Sequence, residues 1–221
     1  MNREILTKRL ISISGDIRRL SETVTAMKEI NIPLFPELYE AQSVEAAQRA
    51  EWIALRLREL VYMTTNIRKR DYLSCVAETM EIKIEDHEGI YEITLPGLMP
   101  KRKSRKGTAY LIDPLYAALN EFIREHHTAC LVHCTVCFVL VYDRALSERR
   151  IRDYDNLELK EVLGAVASCL MVNDGGLLCD AYQTTELGDA DCTRIFIMDT
   201  ERYPEWYARR KALKGSGNPG C

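Results

Sequence analysis

The stretch Arg152-Asp153-Tyr154-Asp155-Asn156-Leu157-Glu158-Leu159-Lys160, followed after one apolar segment by Val172-Asn173-Asp174, carries the residue types of a metal-assisted hydrolase. In an extended segment residues two apart point to the same side, so Asp153 and Asp155 present paired carboxylates. Their oxygens are the hard ligands that Mg²⁺ prefers, with water and a substrate phosphate completing an octahedron. Asn156 is expected to cap the next helix. Lys160, one turn into that helix, would meet a phosphate or a leaving oxygen. Two carboxylates, a lysine and the later Asp174 suit phosphodiester hydrolysis. The same Asp-x-Asp-Asn also serves as plain turn and capping chemistry, because Asp and Asn bond their own backbone ahead of helices.

The elements that position these residues are legible in the periodicity. Leu6, Leu10, Ile13, Ile17, Leu20, Val24 and Met27 recur in steps of four and three, a helical seam. Pro33 and Pro36 are expected to stop that helix, and Ser43 to cap a second one. Ala46, Ala50, Ile53, Leu57 and Leu60 keep this second helix amphipathic to about residue 70, giving an antiparallel helix pair.

From residue 81 the period changes to two. Ile82 and Ile84, then Ile90, Tyr91, Ile93 and Leu95, flank Asp86-His87-Glu88-Gly89, a β-hairpin signal. A basic loop follows, and Asp113-Pro114 is expected to open a helix. Residues 131–142 form the strongest strand pattern and belong at the centre of a sheet. A helix is expected over 156–171 and strands over 177–182 and 193–198. The tail after Trp206 is basic, ends in GSGNPGC and is disordered by composition. The expected division is a helical hairpin over 1–77, an α+β (α/β) domain over 78–200 and a tail over 201–221.

Composition narrows the classes. The chain has 221 residues, 47% hydrophobic and 29% charged, with a formal charge of −3, which excludes fibrous, collagen-like and fully disordered proteins. No apolar run reaches the roughly 20 residues of a membrane span. Arg3, Glu4, Lys8 and Arg9 argue against a signal peptide, and eight cysteines without a compact framework read as reduced thiols. A cytosolic protein is expected. An acidic balance excludes indiscriminate coating of nucleic acid, but basic runs at 101–106, 144–152 and 202–214 can grip a polyanion locally.

Other motifs carry less. Cys134 and Cys137, with His126, His127, Cys130 and His133 nearby, invite zinc, but residues three apart on a strand face opposite sides and cannot close on one ion. No Gly-rich loop precedes a Lys-Ser/Thr pair, so no nucleotide cofactor is expected. Trp206 and Tyr207 could stack on unpaired bases, with packing against the domain as the alternative.

On these residues the chain resembles the RusA-like endonucleases, which resolve Holliday junctions and related branched DNA. That family pairs an Asp-x-Asp-Asn with a helix bearing an early Lys, then an acidic pair beyond the helix. Asp153, Asp155 and Asn156 match the opening, Lys160 the lysine, and Asp174 the last acid, with Asn173 in place of its acidic neighbour. Ile93-Thr94-Leu95-Pro96-Gly97 looks like the family's first strand running into a basic loop. The likeness covers residues 80–198 and leaves the helical N-terminus outside it.

The resemblance implies a RusA-like mixed sheet with packed helices and a Mg²⁺-dependent endonuclease (Mn²⁺ as a substitute) held as a homodimer on branched DNA. Asp153, Asp155 and Asp174 would hold the metal, with Lys160 as a further catalytic group. Lys101, Arg102, Lys103, Arg105, Lys106, Arg149, Arg150 and Arg152 would hold the flanking phosphates. If residues 156–171 formed one straight helix it would span about 24 Å, too far for Asp174 to share a metal with Asp155 in one chain. Either Gly164 breaks the helix, or a two-fold dimer supplies Asp174 from the second subunit. The rival reading is a non-catalytic DNA-binding or assembly protein with the same fold.

Overall fold

The computed structural model describes residues 3–100 and 108–216. The chain divides into two compact units, Met1–Lys69 and Arg70–Cys221. In the first, α1 (Arg3–Glu29) and α2 (Pro36–Thr64) form an antiparallel pair. Their shared seam buries Ile13, Ile53 and Leu60, with Leu6 and Leu20 packed against it. Arg56 Nη1 reaches Asp16 Oδ2 across the pair at 2.6 Å. Pro36 starts the second helix rather than merely ending the first, because proline's fixed φ and missing N–H suit a first turn. Ser43, expected as the cap, lies inside α2 and donates to the Tyr39 carbonyl at 2.7 Å.

The second unit opens with α3 (Lys69–Thr79), an element the periodicity did not signal. Glu81 (φ 58°) closes it in the left-handed region, with Ile82 N donating to Ala77 O and Glu81 N to Glu78 O. The hairpin follows as expected, β1 (Lys83–Asp86) and β2 (Tyr91–Pro96), with Gly89 at φ +86° and its N–H on Asp86 Oδ1. The next helix, α4 (Ala109–His126), begins ahead of Asp113-Pro114 and carries Pro114 inside it. Proline removes one ladder bond there, but Leu111, Leu115, Leu119 and Phe122 continue one buried stripe across it.

Then come β3 (Cys134–Asp143), α5 (Lys160–Leu170), β4 (Cys179–Gly188), β5 (Cys192–Asp199) and α6 (Tyr203–Ser216). The sheet runs β1-β2-β5-β3-β4, with β3 and β4 parallel and every other pair antiparallel. α5 is the crossover that a parallel pair requires. Six α-helices and a five-stranded mixed sheet among the described residues make an α+β fold.

Alternation along the central strands feeds two layers. Val136, Phe138 and Leu140 of β3, with Ile195 and Ile197 of β5, pack beneath α4 and α5. Cys137, Val139, Val141, Phe196 and Met198 face the other way, toward Tyr203 and Trp206. The segment expected to be a disordered tail is therefore helical as far as Ser216. Tyr203 stacks on Tyr182 at 4.6 Å and Trp206 lies 5.0 Å from Phe196. Arg210 sits over Trp206 at 5.1 Å and contacts Glu186 at 2.6 Å as a charge pair rather than an aligned hydrogen bond. Composition misled because only the i, i+3, i+7 spacing of Tyr203, Trp206 and Arg210 gives this helix a sheet-facing side.

No helix among the described residues is long and apolar enough to cross a membrane. Phe138 is 1% exposed at the middle of this core. Phe138→Ala should cost about 3–5 kcal/mol and lower the melting midpoint by at least about 6 °C, read by thermal unfolding.

Candidate functional site

The loop between β3 and α5 is pinned along its length. Asp143 N donates to Asp191 Oδ1 at 2.8 Å, and Arg144 N to Gly188 O at 2.9 Å. Ser147 Oγ accepts from Arg149 N, starting a single 3₁₀ turn at Glu148–Arg150. Arg152 N donates to Tyr142 Oη at 3.1 Å. Beyond it Tyr154 Oη meets Thr185 Oγ1 of β4 at 2.9 Å, and Leu157 and Leu159 are buried.

Asp153 and Asp155 thus stand on either side of a tyrosine anchored to the sheet, and both are exposed. The expectation of an extended segment holds only to Asp153 (φ −65°, ψ 140°); Tyr154–Asn156 is a second 3₁₀ turn. The turn wins because Asn156 N bonds Asp153 O and Leu157 N bonds Tyr154 O, satisfying backbone groups an unpaired strand would leave open. Asn156 closes this turn and does not cap α5, which begins at Lys160 behind Leu159 without a side-chain cap.

Lys160 is therefore the first helical residue rather than one turn in, and it is exposed. Asp174 is exposed beyond the other end of α5, in a turn where Asn173 Oδ1 accepts from Gly175 N at 2.6 Å. Asn173 is committed to that turn. Lys160 and Asp174 border the same pocket of about 330 Å³, which runs along Gly164 and Ser168 of α5 beside Tyr116 of α4. Gly164 does not break the helix, whose 11 residues span about 16 Å. Asp153, Asp155, Asp174 and Lys160 form no ion pair among the described residues.

Within one chain the three aspartates are not gathered around a common point. Among the described residues, the group whose ligand atoms all lie within 4.8 Å of one another is Glu85, His87 and Glu92. Glu85 and Glu92 are direct partners across the hairpin, and His87 Nε2 lies 3.6 and 3.3 Å from their carboxylates. Glu92 Oε1 is also bonded by Arg194 Nε at 2.6 Å. Burial opposes the Arg194 charge, but that bond and the charges of Glu92 and Glu186 outweigh it and hold the guanidinium above its usual pKa. The sequence reading missed this cluster. The signal lay in the hairpin register: Asp86 pairs with Tyr91 around residues 87–90, one position later than a turn at Asp86–Gly89 would place it, and so residue 85 stands opposite residue 92.

The basic residues divide unevenly. Lys101, Arg102, Lys103, Arg105 and Lys106 lie outside the described residues. Arg149 is exposed. Arg150 and Arg152, expected on phosphates, are half-buried ties within the fold: Arg150 pairs with Asp191, and Arg152 Nη1 reaches Met99 O at 3.4 Å. The Asp143 N–H, then Arg150, hold the Asp191 carboxyl below the usual carboxylate pKa despite opposing desolvation. A depressed value stabilises the fold above the unfolded pKa of about 3.9, and that contribution disappears as pH falls through the lowered folded value. The denaturant midpoint of wild type should therefore exceed that of Asp191→Asn at pH 7, and the gap should narrow below about pH 4.

The thiols of Cys134 and Cys137 belong to opposite faces of the sheet, the geometry expected of residues three apart on a strand. Burial, then the neighbouring Cys179, pushes the Cys134 thiol up to about 12. That value is the reverse of a reactive cysteine.

The profile of a protein family described as "Family of unknown function (DUF6100)" matches residues 2–216. No curated protein matches the chain. Among solved structures, the periplasmic domain of Helicobacter pylori MotB (residues 90–256) aligns at 12% identity, covering 66% of this chain and 95% of that one, with a TM-score of 0.34. A likeness that faint carries no argument about fold or activity. With nearly its whole length matched, the chain belongs to the family of unknown function DUF6100.

Proposed function

We propose that the chain is a Mg²⁺-dependent endonuclease that hydrolyses phosphodiester bonds in Holliday junctions or other branched DNA. One observation carries the reading. Between two parallel strands, a pinned loop holds two exposed carboxylates, Asp153 and Asp155, free of cations among the described residues, just ahead of Lys160 at the start of α5. Three carboxylates form a hard-oxygen donor set that fits Mg²⁺ or Mn²⁺, with Asp174 as the third. Bound there, the ion would supply Lewis acidity at the attacked phosphate.

The chain's own groups do the rest. Lys160, in the first turn of α5, would stabilise negative charge at the leaving oxygen. Arg149 would grip a flanking phosphate, together with the lysines and arginines of 101–106. Asp174 would come from a second copy, since α5 separates it from Asp155 in its own chain. A cytosolic, reducing setting belongs to the same proposal, supported by thiols such as Cys134 that are buried as small apolar groups.

The test is a labelled four-way junction incubated with Mg²⁺ or with EDTA. Mg²⁺-dependent cuts near the branch, absent on linear duplex, are the expected result. Salt-sensitive binding without cleavage would favour the non-catalytic DNA-binding or assembly reading, which the dispersal of the three aspartates in one chain recommends as second. Absence of binding at low salt would remove both.

A further inference from the structure

The helical hairpin has one finished side and one open side. On α1, the row flanking the buried seam on one side is Arg9 and Asp16, and it meets Glu59 and Arg56 of α2 at 3.9 and 2.6 Å. The row on the other side is Leu10, Ile17 and Val24, every seventh residue, and these remain 48%, 47% and 48% exposed. In an antiparallel pair equivalent rows share a side, so this row lies beside Ala50 and Leu57 of α2, the latter 41% exposed. Next outward are Ser14 and Ser21 on α1 and Ala54 on α2, all small and uncharged. Both helices thus carry a complete heptad seam of which the hairpin covers only one row.

We infer that this face pairs with the same face of a second copy, closing two hairpins into a four-helix bundle. The residues named carry no charge, and the charges that continue their rows (Arg3 and Lys28 on α1, Glu40 on α2) stand at the helix ends, so over the middle of the face a two-fold operation sets no like charges against each other, as a self-complementary interface requires. Small residues beside Leu10, Ile17 and Leu57 admit the close approach of knobs-into-holes packing. The size fits as well. The 27 residues of α1 span about 40 Å, and two helices side by side offer a face of about 800 Å², one partner's share of a standard stable interface. The inference stands on the hairpin alone.

The experiment is the mass of the full chain by sedimentation equilibrium from about 1 to 100 μM, without DNA. Twice 25.4 kDa is expected at the upper end. The double variant Ile17→Glu/Leu57→Glu should sediment as one chain while keeping its helical circular dichroism, and Arg18→Glu, on the outer side of α1, should remain paired. Hydrogen exchange on the unaltered chain needs no variant: protection of residues 10–24 and 47–61 should rise with concentration. A single-chain mass throughout, a double variant that folds and still pairs, or concentration-dependent protection confined to residues 70–216 would each overturn the inference. A chain that pairs this way but never cuts DNA would leave the bundle intact and defeat only the hydrolase reading.

Discussion

Asp155→Asn should abolish Mg²⁺-dependent cleavage of a four-way junction, lowering the single-turnover rate by a factor on the order of 10³, the scale expected when a charged group at the reacting phosphate is lost. The fold should not notice. Asp155 is exposed and forms no ion pair among the described residues, so its replacement should change stability by less than about 0.5 kcal/mol. Junction binding should be retained or strengthened, because a negative charge next to phosphates has been removed. Binding and cleavage must therefore separate in this variant. Lys160→Ala should act in the same direction with a smaller loss, since it removes stabilisation of developing charge and leaves the carboxylates in place. Equal cleavage by wild type and Asp155→Asn would show that hydrolysis, if seen, happens elsewhere.

Mixing two dead variants should restore activity. Asp155 and Asp174 flank opposite ends of α5 and are not gathered in one chain, so the proposed site takes Asp153 and Asp155 from one copy and Asp174 from the other. A heterodimer of Asp155→Asn with Asp174→Asn then contains one site with both substitutions and one with neither. After co-refolding in equal amounts, half the dimers should be mixed, and nicking should return to roughly a quarter of the wild-type rate. A site built within each chain would leave every mixed dimer inactive. Loss in both single variants with no recovery on mixing would therefore assign the chemistry to one subunit and require Asp174 to move toward Asp155.

The parts of the fold that the sequence made legible are those whose apolar spacing has one interpretation. β3 reads as a central strand because Val136, Phe138 and Leu140 feed one layer while Cys137, Val139 and Val141 feed the other. The hairpin was legible from its turn, and the first two helices from their seam. The errors have physical causes. Proline was weighed as a breaker at Pro36 and as an opener at Pro114, whereas it starts α2 and sits inside α4. The basic composition of α6 concealed an aromatic stripe that only the sheet beneath explains.

The candidate site was legible in residue type but not in geometry. Asp153 and Asp155 are exposed on a pinned loop ahead of a helix, as their spacing suggested, but a 3₁₀ turn intervenes and moves the start of α5 to Lys160. For Arg150 and Arg152 the sequence displays charge and not the partners the fold gives them. Asp191, 41 residues from Arg150, occupies one of them. The Glu85, His87 and Glu92 group depends on strand register, which hydrophobic alternation alone does not supply.

Whether Asp153 and Asp155 hold a divalent ion is read from Mn²⁺ binding by the unaltered protein and by Asp153→Asn/Asp155→Asn, followed by electron paramagnetic resonance without DNA. A class of bound Mn²⁺ is expected in the wild-type protein that vanishes in the double variant and is displaced by Mg²⁺. No bound Mn²⁺ at millimolar concentration, or the same occupancy in both proteins, would contradict it; in the second case the ion would lie elsewhere, with Glu85, His87 and Glu92 the first place to look.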